Sequence, residues 1–325
     1  MTQYLHLPTI LRDAKQLLKR DTYKYKSSFA MLGTVGSGKT TAAGFMVTTA
    51  ITMSASNPGF VCDVIESKSG ILEAQSLLRR GHFPPKTNPN SALPYESGLL
   101  MRWSSSLRKR EMHLPICDVA GEVVADLATK YREGMYDLEE ATFKETAFLV
   151  EQLKDRDGFI LTIPASRAFM FAGDQPLEAE PVLGSQEKGA DPDVNLSRIL
   201  EAIIDHKRRY KTHPIQGIAV IVTKYDLVKS ICEQEGMDLY DESGLGFRNF
   251  MNTCFPATAN KLRFFGLENV AFFPSEVGLA PDPWPDGKPR IEILRRRPDD
   301  TPCRVPKYPE RQYERLINYL SAFAA

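Results

Sequence analysis

The chain has no Cys-x-x-Cys pair among its 325 residues; its five cysteines, Cys62, Cys117, Cys232, Cys254 and Cys303, stand alone. That spacing argues against a disulfide framework or a thiolate metal site and fits a reducing compartment, hence a cytoplasmic setting. An excess of charge of one sign is also missing. Lys plus Arg and Asp plus Glu number 41 each, so no overall field draws the chain towards nucleic acid or an anionic membrane. No apolar run reaches the roughly 18 residues needed to span a bilayer. Residues 1–21 lack the uninterrupted apolar stretch and small-residue site of a secretory signal. Internal repeats and low-complexity tracts are absent as well.

What is present is the material of a globular chain: 42% of the residues are hydrophobic, enough core for one or two domains. Leu7, Ile10, Leu11, Ala14, Leu17 and Leu18 recur at helical spacing, with Arg12, Lys15 and Lys19 opposite. This predicts an amphipathic helix within residues 1–25, packed on the main domain or, alternatively, attached to a membrane surface. From residue 26 onward apolar strands (28–32, 60–65, 99–107, 112–117, 158–163, 218–222, 270–273) are expected to be interspersed with helices (40–53, 71–80, 123–153 in pieces, 194–210, 247–264, 310–323). The residues Arg108 to Glu111 read as the turn of a hairpin, and the strands after residue 158 read as buried and parallel. Such alternation predicts an α/β sandwich with a mostly parallel central sheet. Residues 60–82, 123–155, 172–192 and 279–309 read as insertions.

Gly33-Thr34-Val35-Gly36-Ser37-Gly38-Lys39-Thr40 fits G-x-x-x-x-G-K-[ST] at every fixed position. The glycines let consecutive backbone N–H groups curl around a β-phosphate, and the following helix aims its positive dipole end at the same anion. Lys39 is then expected to reach the β- and γ-phosphate oxygens and Thr40 to ligate Mg²⁺, with Thr41 next to it in the first helical turn. Read in isolation the segment could be a glycine-rich turn, but it lies between an apolar strand and an apolar helix, as the mechanism requires.

Three further segments specify the nucleotide. The run 114–117 leads into Asp118-Val119-Ala120-Gly121-Glu122, where an acid can hold Mg²⁺ through water and a glycine N–H can meet a γ-phosphate. The run 218–222 leads into Thr223-Lys224-Tyr225-Asp226, where a carboxylate can accept both N–H donors of guanine's ring edge while the lysine stem covers the base. Adenine cannot satisfy that carboxylate. Ser275-Glu276-Val277, after the last strand, stands where a backbone N–H could meet the guanine oxygen. Thr87, in Pro84-Pro85-Lys86-Thr87, either closes on Mg²⁺ or belongs to a plain proline-rich turn.

This order of motifs resembles the Ras-like GTPases of the TRAFAC class over most of the chain. The resemblance implies a three-layer P-loop NTPase fold. It also implies a site in which Gly33 to Thr41, Thr87, Asp118 to Gly121, Thr223 to Asp226 and Ser275 to Val277 hold GTP or GDP with Mg²⁺. The extra strand and helix at 60–80 are similar to bacterial proteins of the double-GTPase type. One residue departs from the pattern: Glu122 stands where many Ras-like enzymes have glutamine. A carboxylate there could accept from the attacking water yet also repels the γ-phosphate, so slow hydrolysis is expected. Arg167 and Arg132 are candidate arginine fingers, a partner's arginine being the alternative. The expected activity is hydrolysis of GTP to GDP and phosphate as a nucleotide-dependent switch, with a protein partner or a second copy meeting the switch loops. The rival readings are a guanine-nucleotide scaffold with little turnover and a P-loop ATPase or kinase of another class.

Overall fold

The computed structural model describes residues 27–34, 36–66, 70–85, 96–105, 109–117, 156–170, 191–210, 214–265, 270–295 and 304–324. The expected N-terminal helix, the 123–155 segment and nearly all of the 172–192 insertion lie outside the described residues.

Seven strands make one sheet: β1 (Phe29–Gly33), β2 (Phe60–Glu66), β3 (Glu96–Ser104), β4 (Lys109–Cys117), β5 (Gly158–Pro164), β6 (Gly217–Thr223) and β7 (Val270–Pro274). Their order is β2-β3-β4-β1-β5-β6-β7. Only β3 runs antiparallel to its neighbours; β4, β1, β5, β6 and β7 pair in parallel. The period of two along a strand sends alternate side chains to opposite faces. Phe29, Met31, Ile160, Ala219, Ile221 and Phe273 therefore join one core. Over it lie α1 (Lys39–Ser56), α2 (Ile71–Arg79) and α7 (Glu310–Ser321). Ala30, Leu32, Phe159, Leu161, Ile163, Val220 and Val222 face a second core. That one is covered by α3 (Pro192–Tyr210), α4 (Lys229–Gln234), α5 (Leu245–Cys254) and α6 (Pro256–Leu262). Each fully buried side chain of this size contributes about 1.5–3 kcal/mol, so one face lost exceeds the whole stability margin of a domain. The result is a three-layer α/β fold with a mostly parallel sheet, the architecture of a P-loop GTPase-like fold.

Four details differ from expectation. The hairpin turn expected at Arg108 to Glu111 is displaced, because Lys109, Arg110 and Glu111 lie within β4. Glu111 stands opposite Arg102 on β3 and bonds its Nε at 2.9 Å, a cross-strand pair that keeps these charged residues in the ladder. The helix expected over 247–264 breaks at Phe255, since Pro256 cannot continue a helix and instead opens α6. Cys62, whose apolar run 60–65 reads from the sequence as a buried strand, is half-buried because β2 is an edge strand. The 279–309 segment, expected on the surface, contains the fully buried Ile291, and Ile291 N–H and Trp284 Nε1–H both donate to the Gly81 carbonyl past the end of α2. It also holds the small pair β8 (Ile293–Arg295) and β9 (Arg304–Pro306). Among the described residues no helix is long and apolar enough to cross a membrane.

Because the adjacent strands β4, β1, β5, β6 and β7 run in the same direction, their ends at Gly33, Cys117, Pro164, Thr223 and Pro274 share one edge of the sheet. Loops leaving that edge on either side of a central strand form the natural ligand crevice of an open α/β sheet.

Candidate functional site

The glycine loop begins where β1 meets a wall. A Cβ on Gly33 would lie 2.0 Å from Thr162 Oγ1 and 2.4 Å from Ser37 Oγ, so the position admits only glycine. Thr162 donates its hydroxyl to the Leu32 carbonyl at 3.0 Å. The 3.0 Å contact between the Ser37 and Thr162 hydroxyls therefore has Ser37 as donor. Ser37 N–H closes the turn on the Thr34 carbonyl at 3.2 Å. Gly36 and Gly38 sit in the left-handed region at φ 66° and 72°, which costs glycine nothing. Helix α1 then starts at Lys39 with no side-chain cap and no acidic residue in its first turn. Its dipole thus favours an anion there. Lys39 is buried, and Thr40 and Thr41 are half-buried. The buried Thr34 Oγ1 has no hydrogen-bond partner among the described residues. Val35 lies outside them.

A second segment is fastened to this loop. Thr223, at the end of β6, shares its single hydroxyl proton between the Ser37 carbonyl at 2.6 Å and the Ile163 carbonyl at 3.1 Å. Thr223 also lies 3.3 Å from where a Gly38 Cβ would stand. The chain then passes through Lys224 at φ 58°, which among the described residues is the only non-glycine residue in the left-handed region. That conformation costs about 1–2 kcal/mol and delivers Asp226 to the sheet edge. Burial lowers the Lys224 ammonium pKa, with Asp226 acting against the shift.

The loop after β7 closes the same corner. Ser275 N–H donates to the Val222 carbonyl at 2.8 Å, and Tyr225 N–H to the Ser275 carbonyl at 3.3 Å. Val277 N–H donates to Asp226 Oδ1 at 3.3 Å. Partial burial raises the Asp226 pKa and the Glu276 charge adds to it, while the Val277 N–H and Lys224 oppose the rise. The Ser275 hydroxyl meets that of Tyr313 on α7 at 2.7 Å. The expected residues Thr223, Lys224, Asp226, Ser275, Glu276 and Val277 thus gather beside the Gly33–Thr40 loop.

Asp118, Gly121, Glu122, Thr87 and Arg132 lie outside the described residues; β4, the partner of β1, ends one residue before Asp118. Arg167 is described, and its guanidinium is engaged. It pairs with Asp191, donates to the Cys254 carbonyl and lies 5.3 Å from the Phe255 ring centre. A side chain held so links the turn after β5 (residues 165–170) to the end of α5 and to Asp191. Two contributors escape sequence reading. Thr162 left one signal, a lone hydroxyl inside the apolar run 158–163, whereas Tyr313 left none.

No family model and no curated protein matches the chain. Among solved structures it is similar to the S. cerevisiae Ski7 GTPase-like domain bound to GTP, at 11% identity and a TM-score of 0.30. The match covers 83% of this chain and 45% of that one, so the chain spans less than half of its length. Likeness of that degree carries no weight for function; the P-loop type of fold rests on the strand order and on the glycine loop at the end of β1.

Proposed function

We propose that this chain binds GTP and GDP with Mg²⁺ and hydrolyses GTP to GDP and phosphate, acting as a nucleotide-dependent switch. The observation that carries this reading is the 2.6 Å bond from Thr223 to the Ser37 carbonyl. It ties the segment that ends in Asp226 to the loop that would cradle phosphates, at a fixed spacing. A ligand with an anionic tail and a base rich in N–H donors fits that pairing. The uncapped α1 N-terminus and Lys39 take the phosphates, and Asp226 accepts the N–H groups of the guanine edge.

Mg²⁺ suits the oxygen donors available. Thr40, in the first turn of α1, would supply one hydroxyl and Asp118 a carboxylate acting through water, with Thr87 as a further oxygen. When bound, the ion neutralises charge building on the β- and γ-phosphate oxygens. Lys39 orients the same oxygens, Gly121 offers its N–H to the γ-phosphate, and Glu122 accepts a hydrogen bond from the attacking water. Glu122 also motivates the second reading, a scaffold that holds GTP or GDP without turnover.

Phosphate release from GTP and from ATP, measured on the full chain beside Lys39→Ala, tests the proposal. Slow GTP turnover that disappears in Lys39→Ala supports the enzyme. Binding of GTP with no release above the Lys39→Ala background favours the scaffold, and turnover of ATP equal to that of GTP contradicts both.

A further inference from the structure

The turn that brings Val277 to Asp226 is held at both ends by the C-terminal part of the chain. At its start Ser275 is 4% exposed, and its hydroxyl lies 2.7 Å from that of Tyr313, itself 2% exposed. Ser275 is also fastened through its backbone, its N–H to the Val222 carbonyl and its carbonyl to the Tyr225 N–H. At the far end of the turn three backbone bonds of 2.8 Å close a ring. Gly278 N–H donates to the Lys307 carbonyl, Lys307 N–H to the Glu292 carbonyl, and Glu292 N–H to the Gly278 carbonyl. A Cβ on Gly278 would stand 2.5 Å from Lys307 Cδ and 2.8 Å from its Cβ, so the two stretches meet there without spare room. The same stretch is fixed to α1. Tyr308, next to Lys307, stacks on Phe45 with ring centres 4.5 Å apart, and its hydroxyl lies 2.8 Å from Thr49 Oγ1. Phe45 also meets the Tyr313 ring edge-on at 5.8 Å.

We propose that Tyr313 and the Gly278–Lys307 contact are positioning elements for base recognition, holding the Ser275–Gly278 turn so that Val277 fixes the Asp226 carboxylate. The Glu292 and Lys307 stretches, with α7, then mount the base corner on α1, the helix that begins at the phosphate loop. The inference rests on the reading of Asp226 as the carboxylate that accepts from guanine. Between the two anchors lie only Glu276 and Val277. The Val277 N–H bond to Asp226 Oδ1 is exposed and long at 3.3 Å, so its direction depends on the anchors more than on its own strength. A carboxylate pairs with two N–H donors only while its plane is held. With either anchor slackened the carboxylate can rotate and the base loses its partner geometry. The phosphates, which answer to the Gly33–Thr40 loop, keep theirs.

The test uses the full chain and two variants, Tyr313→Phe, which keeps the ring and drops the hydroxyl, and Gly278→Ala, which forces Lys307 aside. Each is titrated with GTP, ATP and inorganic tripolyphosphate well below its thermal midpoint. Both are expected to lose about three- to tenfold in GTP affinity, the size of one hydrogen bond. Affinity for ATP and tripolyphosphate should be unchanged, so the preference for GTP narrows. Ser275→Ala should cost as much as Tyr313→Phe and add nothing to it in the double variant. An unchanged GTP preference in either variant overturns the inference, as does an equal loss for all three ligands, which marks a merely structural role. Should Tyr313→Phe fail to fold, Gly278→Ala decides alone. If Asp226→Asn abolishes the GTP preference and a folded variant leaves it as it was, only this inference falls. If Asp226→Asn itself leaves GTP affinity intact, the guanine reading falls and takes the inference with it.

Discussion

The proposed guanine contact requires Asp226 to be ionised, yet its surroundings favour the protonated form. Its pKa lies above the ordinary carboxylate range because of partial burial and the Glu276 charge. Binding that needs the anion therefore weakens at a higher pH than an ordinary aspartate would dictate. GTP affinity followed as pH falls through the carboxylate range should decline more steeply for the natural chain than for Asp226→Asn, and parallel curves for the two would count against the role. The same shift has the opposite sign for the ligand-free fold. A raised folded pKa stabilises below the unfolded value, and the contribution is lost as pH rises through the folded one. At this scale the sequence was informative where chemistry is local. The Gly33–Thr40 pattern demands its glycines by backbone geometry alone, and the wall at Gly33 gives the reason. The Arg167–Asp191 pair and the Ser275–Tyr313 bond were not legible, because each joins residues brought together only by the packing of separate elements.

Among the elements, α7 reaches furthest from the motifs while still touching the site. Tyr313 is buried, and its hydroxyl and that of Ser275 satisfy each other at 2.7 Å. Ser275→Ala leaves the tyrosine hydroxyl buried and unpaired, a loss of about 1–3 kcal/mol. Adding Tyr313→Phe should return part of it, with a coupling on the order of 1 kcal/mol in urea unfolding. Strict additivity of the two substitutions would deny the bond any energetic role. On β4, burial and the nearby Arg156 push the His113 pKa down to about 4. The unfolded chain takes up that proton near the ordinary value of about 6.5, so stability falls as pH drops through the window between them. The unfolding free energy from urea titration should decrease from pH 7.5 to 5 by an amount on the order of 1–2 kcal/mol more than in His113→Gln. An identical decrease in both would place the acid sensitivity elsewhere. Element identities were readable from apolar periodicity, whereas boundaries were set by features that periodicity does not carry. Pro256 divides one expected helix, and the Arg102–Glu111 pair draws charged residues into β4.

For the whole molecule, the parallel order of β4, β1, β5, β6 and β7 explains why segments nearly 190 residues apart, Ser37 and Thr223, can share a hydrogen bond. The apolar runs and the loops at their ends made that arrangement legible in advance, since buried parallel strands deliver their following loops to one edge. The tethering of the 279–309 segment to Gly81 was not legible; its Pro, Gly and acidic residues resemble a solvated loop until Ile291 and Trp284 are seen in place. The central claim is that this edge selects guanine. Equilibrium titration with GTP, ATP and xanthosine triphosphate in Mg²⁺, on the natural chain and on Asp226→Asn, tests it most directly. GTP should bind at least tenfold more tightly than ATP to the natural chain, each hydrogen bond to a charged group being worth roughly 1.5–3 kcal/mol. Asp226→Asn should lose that preference and gain affinity for xanthosine triphosphate, whose 2-oxo group accepts where guanine donates. Equal affinity for GTP and ATP in the natural chain, or GTP affinity untouched by the substitution, would contradict the claim.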